Sequence, residues 1–164
     1  MMRTYIKVGT KRISLRDWGN MRRQAESEHP DECCGVFLEN PTSEANTLEW
    51  LACRNIQNDM HAQVPAFFPR KADTAFVIDP AEWMAIQGRI NRKEARLAIL
   101  YHSHVDAPAY FSDEDIRHAM WDDHPKFPEV TYLVLSVIEG RLKHWKAFQW
   151  DESSHRFELV DAGT

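Results

Sequence analysis

The run Leu97-Ala98-Ile99-Leu100-Tyr101 is apolar at every position and ends directly in His102-Ser103-His104. Successive side chains of a strand point to opposite faces, so a segment that is apolar on both faces belongs in the interior of a sheet covered on each side. His102 and His104 share one face of such a strand, about 7 Å apart at roughly 3.3 Å of rise per residue. Ser103 points the other way. At the strand end, where a loop opens a cleft, the two imidazoles can converge on one ion.

After Pro108 the chain reads Ser112-Asp113-Glu114-Asp115-Ile116, a helix start with serine as N-cap and a carboxylate three residues on. That helix carries Asp115 in its first turn, facing back toward the strand end. Two neutral imidazoles and one carboxylate are a donor set typical of catalytic zinc, with the fourth tetrahedral position left to water. Taken singly, the histidine pair is compatible with a structural role and Ser112 with a simple capping box. The two histidines, the gap of about ten residues and a capped helix bearing Asp115 form together the constellation of a metal site.

These residues resemble a known family. His102-Ser103-His104, seven residues, Ser112, two residues and Asp115 match the signature of the JAMM, or MPN+, metallopeptidases. Upstream, Pro30-Asp31-Glu32-Cys33-Cys34-Gly35-Val36 resembles the Pro-x-Glu-x-Cys-Gly-apolar segment of its prokaryotic members. The resemblance runs from about Ser14 to Trp150. It implies that Glu32 acts as the proton carrier beside the metal, that His102, His104 and Asp115 hold Zn2+, and that Ser112 stabilises an oxyanion. It also implies a curved mixed β-sheet flanked by helices, the cytidine-deaminase-like form of an α/β domain.

The chain has 164 residues, 43% of them hydrophobic, enough for one compact domain over residues 1–164. A formal charge of −5 with scattered Lys and Arg gives no electrostatic footprint for nucleic acid. No apolar run reaches the ~18 residues of a membrane span, and the N-terminus lacks a secretory core; the expectation is a cytoplasmic protein. Cys33, Cys34 and Cys53 are odd in number with two adjacent, which argues against a disulfide framework. Strand alternation predicts Cys34 in the core and Cys33 partly exposed beside Glu32. A catalytic thiol at Cys33 is disfavoured, since no histidine is tied to it by a local motif.

In chain order, the pattern predicts one or two short strands around Gly9 and a helix from Leu15 to Glu28 with Leu15, Trp18, Met21 and Ala25 facing the core. A strand from Cys34 to Leu38, a turn through Asn40 to Ser43 and a strand from Thr47 to Ala52 form a hairpin. Residues 54–73 read as a long connection, predicted either to tuck Phe67 and Phe68 into a satellite cluster or to act as a flap over an extended substrate. A short strand follows at Ala75 to Ile78. Asp79-Pro80 opens a helix to about Ile90, and the helix after Ser112 runs to about Trp121, with His118 at its surface or supporting the ligands. Pro125 and Pro128 mark a loop before a buried strand at Thr131 to Val137. Glu139-Gly140 makes a tight turn into an edge-type strand at Lys143 to Trp150, and a last strand spans Arg156 to Val160 ahead of a frayed tail. No glycine-rich phosphate loop follows any strand, which disfavours nucleotide binding.

Zinc lowers the pKa of a bound water from ~15.7 toward ~7, and a nearby carboxylate off the metal can accept its proton and pass it to a leaving amine. By resemblance the substrate is an amide at or beyond the C-terminal diglycine of a ubiquitin-like or sulfur-carrier protein, whose extended tail adds as a strand beside the cleft. Two other readings stand beside it: a non-catalytic MPN scaffold that only binds partners, and a metallohydrolase of another small amide such as a peptidoglycan peptide.

Overall fold

A computed structural model describes residues 2–43 and 47–164. Its elements are β1 (Tyr5–Val8), β2 (Lys11–Ser14), α1 (Leu15–Glu28), β3 (Cys34–Glu39), β4 (Leu48–Cys53), α2 (Gln57–Gln63), α3 (Pro80–Asn91), β5 (Arg96–Val105), α4 (Asp113–Ala119), β6 (Met120–Trp121), β7 (His124–Pro125), β8 (Thr131–Ile138), β9 (Arg141–Asp151) and β10 (Arg156–Gly163). Six strands form one mixed sheet in the order β10-β9-β8-β5-β3-β4. The predicted α/β fold, a mixed sheet flanked by helices, is the one observed.

β5 lies between β3 and β8, which explains why its sequence is apolar on both faces. Phe37, Ile99, Tyr101, Leu133 and Leu135 pack on one side of the sheet against Met21 and Ala25 of α1 and the β1–β2 ribbon. Val36, Leu38, Tyr132 and Leu100 pack on the other with Ile86 and Trp83 of α3 and Ala119 of α4. β5 and β8 run parallel, whereas the other neighbours in this sheet are antiparallel. A parallel pair needs a crossover, and here the crossover carries α4 back over the end of β5. That topology is what returns Asp115 to the histidines.

Gly35 is required by a close approach. A Cβ there would run into the Tyr101 ring and hydroxyl and would lie 2.6 Å from the Leu51 carbonyl oxygen. The Tyr101 hydroxyl sits over it, accepting from Trp50 Nε1 at 2.8 Å and donating to Gln24 Oε1. The glycine of the Cys-Gly segment thus lets a buried tyrosine cross β3 just upstream of His102.

Several expectations are corrected. Residues 75–78 form no strand; their backbone makes only an isolated bridge, Asn55 to Ile78, because Asn55 Oδ1 accepts from Val77 N–H and its Nδ2 donates to the Ala75 carbonyl. Within the long connection lies α2, a polar helix with no side-chain cap. Phe67 is 80% exposed rather than tucked away, while Phe68 is half-buried. The helix after Ser112 stops at Ala119, and the following loop contains the β6–β7 hairpin. β9 is no edge strand, since β10 pairs along it to Gly163 and leaves no frayed tail up to that residue. Leu15, at the first turn of α1, is exposed and Cys33 is fully buried, because α1 covers the face of β3 that Cys33 shares. Among the described residues no helix is long and apolar enough to cross a membrane.

Candidate metal centre

β5 continues through His102 and His104 to Val105, so the strand itself sets the spacing of the pair, and both imidazoles are buried. Ser103 faces away, its Oγ accepting from the Cys33 N–H at 2.8 Å. The His104 ring is fixed by its Nδ1, 2.9 Å from the Pro108 carbonyl oxygen. A carbonyl only accepts, so Nδ1 carries the proton and Nε2 presents its lone pair. Phe76 stacks on the His102 ring with centroids 4.7 Å apart, and Tyr110 meets His104 edge-on at 4.9 Å.

α4 begins with the predicted capping box: Asp115 N–H donates to Ser112 Oγ at 3.0 Å, and Ser112 N–H donates to Asp115 Oδ2 at 3.0 Å. The box orients the Asp115 carboxylate toward the strand. Its Oδ1 lies 3.1 Å from His102 Nε2 and its Oδ2 lies 3.2 Å from His104 Nε2. Burial alone would push the Asp115 carboxyl up, but the neighbouring His102 and His104 rings and the Ser112 N–H together hold it well below the usual carboxylate range.

One donor atom from each of His102, His104 and Asp115 lies within 4.8 Å of the other two. His102 Nε2 is fully buried and has no hydrogen bond of acceptable geometry, despite its closeness to Asp115 Oδ1. An orphaned buried nitrogen aimed at a charged carboxylate is costly unless a further partner joins them. Two imidazole nitrogens and a carboxylate oxygen suit a divalent zinc ion, so the residues fit the implied metal. The other carboxylates between His104 and Asp115 are not among these donors. Asp106 accepts from Glu139 N–H and pairs with His29, Glu114 pairs with Arg117 and His118, and Asp113 is exposed.

Glu32 lies outside that triad but lines the same narrow groove of about 160 Å³ with Arg70, Asp73, His104, Ser112 and Asp115. Its backbone is held at both ends: its N–H donates to the Ala72 carbonyl at 2.7 Å, and its carbonyl accepts from Asn55 Nδ2 at 2.9 Å. The side chain is only 6% exposed. Burial, then the Asp115 charge, push its carboxyl up to about 9 against the opposing pull of Arg70. Cys33 is no nucleophile here, since burial pushes its thiol up to about 12. His118 is half-exposed and pairs with Glu114 at 3.2 Å.

All five residues singled out in the sequence therefore meet at one place. Sequence reasoning missed Asn55, which anchors Glu32, and the ring clamps Phe76 and Tyr110. No spacing rule links them to the motif; Phe76 was visible only as an apolar residue in a segment read as a strand.

A family described as prokaryotic homologs of the JAB domain matches residues 16–150. No curated protein matches significantly. Among solved structures, protein DSY2949 from Desulfitobacterium hafniense superposes with a TM-score of 0.61 at 18% identity, covering 90% of this chain and 87% of that one. A protein from Salinibacter ruber superposes with a TM-score of 0.52 at 19% identity, covering 88% and 86%. At such identities the likeness is one of fold.

Proposed function

Because the chain belongs to the prokaryotic homologs of the JAB domain, a family that includes both metal-dependent isopeptidases and inactive members, we propose that it is an active zinc metallopeptidase of the JAMM type. The observation that carries this reading is the convergence of His102, His104 and Asp115 on one point, with an orphaned His102 Nε2.

His102, His104 and Asp115 would hold the zinc ion, which when bound would supply Lewis acidity toward a carbonyl and toward water. The chain does the rest. Glu32 takes a proton from water in the groove and returns it to the leaving amine. Burial, then the Asp115 charge, push its carboxyl up to about 9; a cation held by Asp115 would offset the second of these and favour the proton-accepting form. The Ser112 Oγ accepts from Asp115 N–H, which leaves its own proton free to donate to an oxyanion in the groove. The Pro108 carbonyl keeps His104 in the tautomer that offers Nε2.

The substrate we propose is an amide at or beyond the C-terminal diglycine of a ubiquitin-like or sulfur-carrier protein. A groove of about 160 Å³ between residues 70–76 and 104–115 suits an extended tail without side chains.

Two measurements test the proposal. Metal analysis of zinc-reconstituted protein should find about one zinc per chain and none in His104→Ala. A ubiquitin-like fusion extended beyond its diglycine should be cleaved, with cleavage stopped by a chelator and by Glu32→Gln. Absence of zinc in the native chain would overturn the reading.

A further inference from the structure

Beside the groove opens a second, larger cavity of about 550 Å³, within the usual size of small-ligand sites. It is continuous with the candidate centre: Phe76, Asp115 and His118 line both, and His102 lines the larger one. Its other walls are mostly apolar, formed by Ile78, Trp83, Leu100, Phe111 and Phe127, with the exposed Trp121 of the β6–β7 hairpin at its mouth.

Two polar groups interrupt these walls. Tyr132 is only 6% exposed and lines the cavity, and its hydroxyl has no hydrogen-bond partner among the described residues. Burial alone pushes that hydroxyl well up. The hydroxyl is reachable from the cavity it lines and can hydrogen-bond a polar atom of a ligand there. Lys126 also lines the cavity, and its ammonium makes no ion pair among the described residues. The metal centre therefore sits between two unlike spaces: a narrow groove with acidic and basic walls, and a roomy apolar cavity with one hydroxyl and one cation.

We propose that the larger cavity is the subsite for the residue on the leaving-amine side of the cleaved amide, and that it takes a bulky aromatic side chain whose free α-carboxylate pairs with Lys126. The inference rests on the hydrolase reading above. It assigns the diglycine to the groove and a C-terminal aromatic residue to the cavity. In hydrolysis the amide C–N bond breaks, the hydroxyl of water goes to the glycyl carbonyl carbon and its proton to the departing nitrogen. A diglycine acid remains in the groove and a free aromatic amino acid in the cavity. Aromatic rings fit by offset and edge contacts with Phe111, Phe127 and Trp83, and the Tyr132 hydroxyl supplies a hydrogen bond to a polar atom of the same residue.

The test uses three probes: acetyl-Gly-Gly-Phe, acetyl-Gly-Gly-Ala and acetyl-Gly-Gly-Phe amide. Their affinities are read by calorimetry and by fluorescence of Trp83 and Trp121 on the full-length Glu32→Gln chain carrying one equivalent of Zn2+, so that binding is seen without turnover. The Phe acid should bind at least about tenfold more tightly than the Ala acid, the scale on which an apolar pocket discriminates. The Phe amide should bind several-fold more weakly than the Phe acid. Lys126→Met should abolish the acid-over-amide preference while keeping the Phe-over-Ala preference, with circular dichroism confirming that the variant is folded. Equal affinities for Phe and Ala, or no measurable binding of the Phe acid, overturn the subsite whatever the cleavage assay reads. An unchanged acid preference in Lys126→Met overturns the role of that lysine. Phe-selective binding together with failure of the native zinc-loaded chain to cleave either the probes or the ubiquitin-like fusion upholds an aromatic-acid binding site and overturns the hydrolase reading, and with it the leaving-amine role of the cavity.

Discussion

Glu32 is a carboxyl that the fold keeps nearly dry, with its backbone tied to Ala72 and Asn55 and its side chain beside the Asp115 charge. Its pKa rises from 4.5 to about 9 in the metal-free protein, so between those values the folded chain holds a proton that the unfolded chain has released. Stability linked to this group is fully present below the unfolded pKa and is lost as pH rises through the folded one. Glutamine carries no such linkage. The stability of metal-free Glu32→Gln relative to the native chain should therefore grow from pH 5 to pH 8, by on the order of a few kcal/mol. Urea midpoints in the presence of chelator at the two pH values measure it; a pH-independent difference would show that Glu32 is not held neutral. The sequence motif gave the position of this residue but not its protonation. Spacing along the chain is local information, whereas the burial of Glu32 and the charges of Asp115, Arg70 and Asp73 that act on it come from elsewhere in the chain.

At the scale of elements, the site is built from a strand end and a helix start, which is why it was legible. His-x-His spacing on β5 and the Ser112–Asp115 box on α4 are each dictated by local backbone periods, and the structure shows both as expected. Segments without a local period were misread: α2 lacks a capping side chain, and residues 75–78 are held by Asn55 rather than by a ladder. Asn55 is 20 residues from Ala75 and 22 from Val77 and announces itself by no pattern. Ser112 combines two tasks that a variant can separate. Ser112→Ala removes the side-chain cap of α4 but leaves the backbone N–H to Asp115 Oδ2, so it should cost about 1 kcal/mol of stability. If its hydroxyl also meets the oxyanion, kcat should fall on the order of a hundredfold with KM little changed. A loss of activity of only a few-fold, with the same loss of stability, would leave Ser112 as a cap alone.

At the scale of the whole molecule, the centre lies where four separate stretches meet: Glu32 before β3, residues 70–76, the end of β5 and the start of α4. Between His104 and Asp115 the chain leaves the sheet and returns, and between Asp115 and β8 it completes the crossover that makes β5 and β8 parallel. A ligand shared by β5 and α4 ties the two ends of that excursion together. The unfolded chain has no such preformed site, so binding free energy appears as folding free energy. Zinc should therefore raise the melting temperature progressively with concentration, reaching about 2.7 kcal/mol of added stability at a hundred times the dissociation constant. His104→Ala should melt at a temperature that no longer responds to zinc, because the tether across the crossover is lost while the apolar layers on both faces of the sheet remain. Scanning calorimetry of both chains across a zinc titration at fixed pH decides the matter. A native chain whose melting is indifferent to zinc would mean that the three donors converge without closing on an ion, and the crossover would then owe its position to the packing of α4 on the sheet and to the capping box alone.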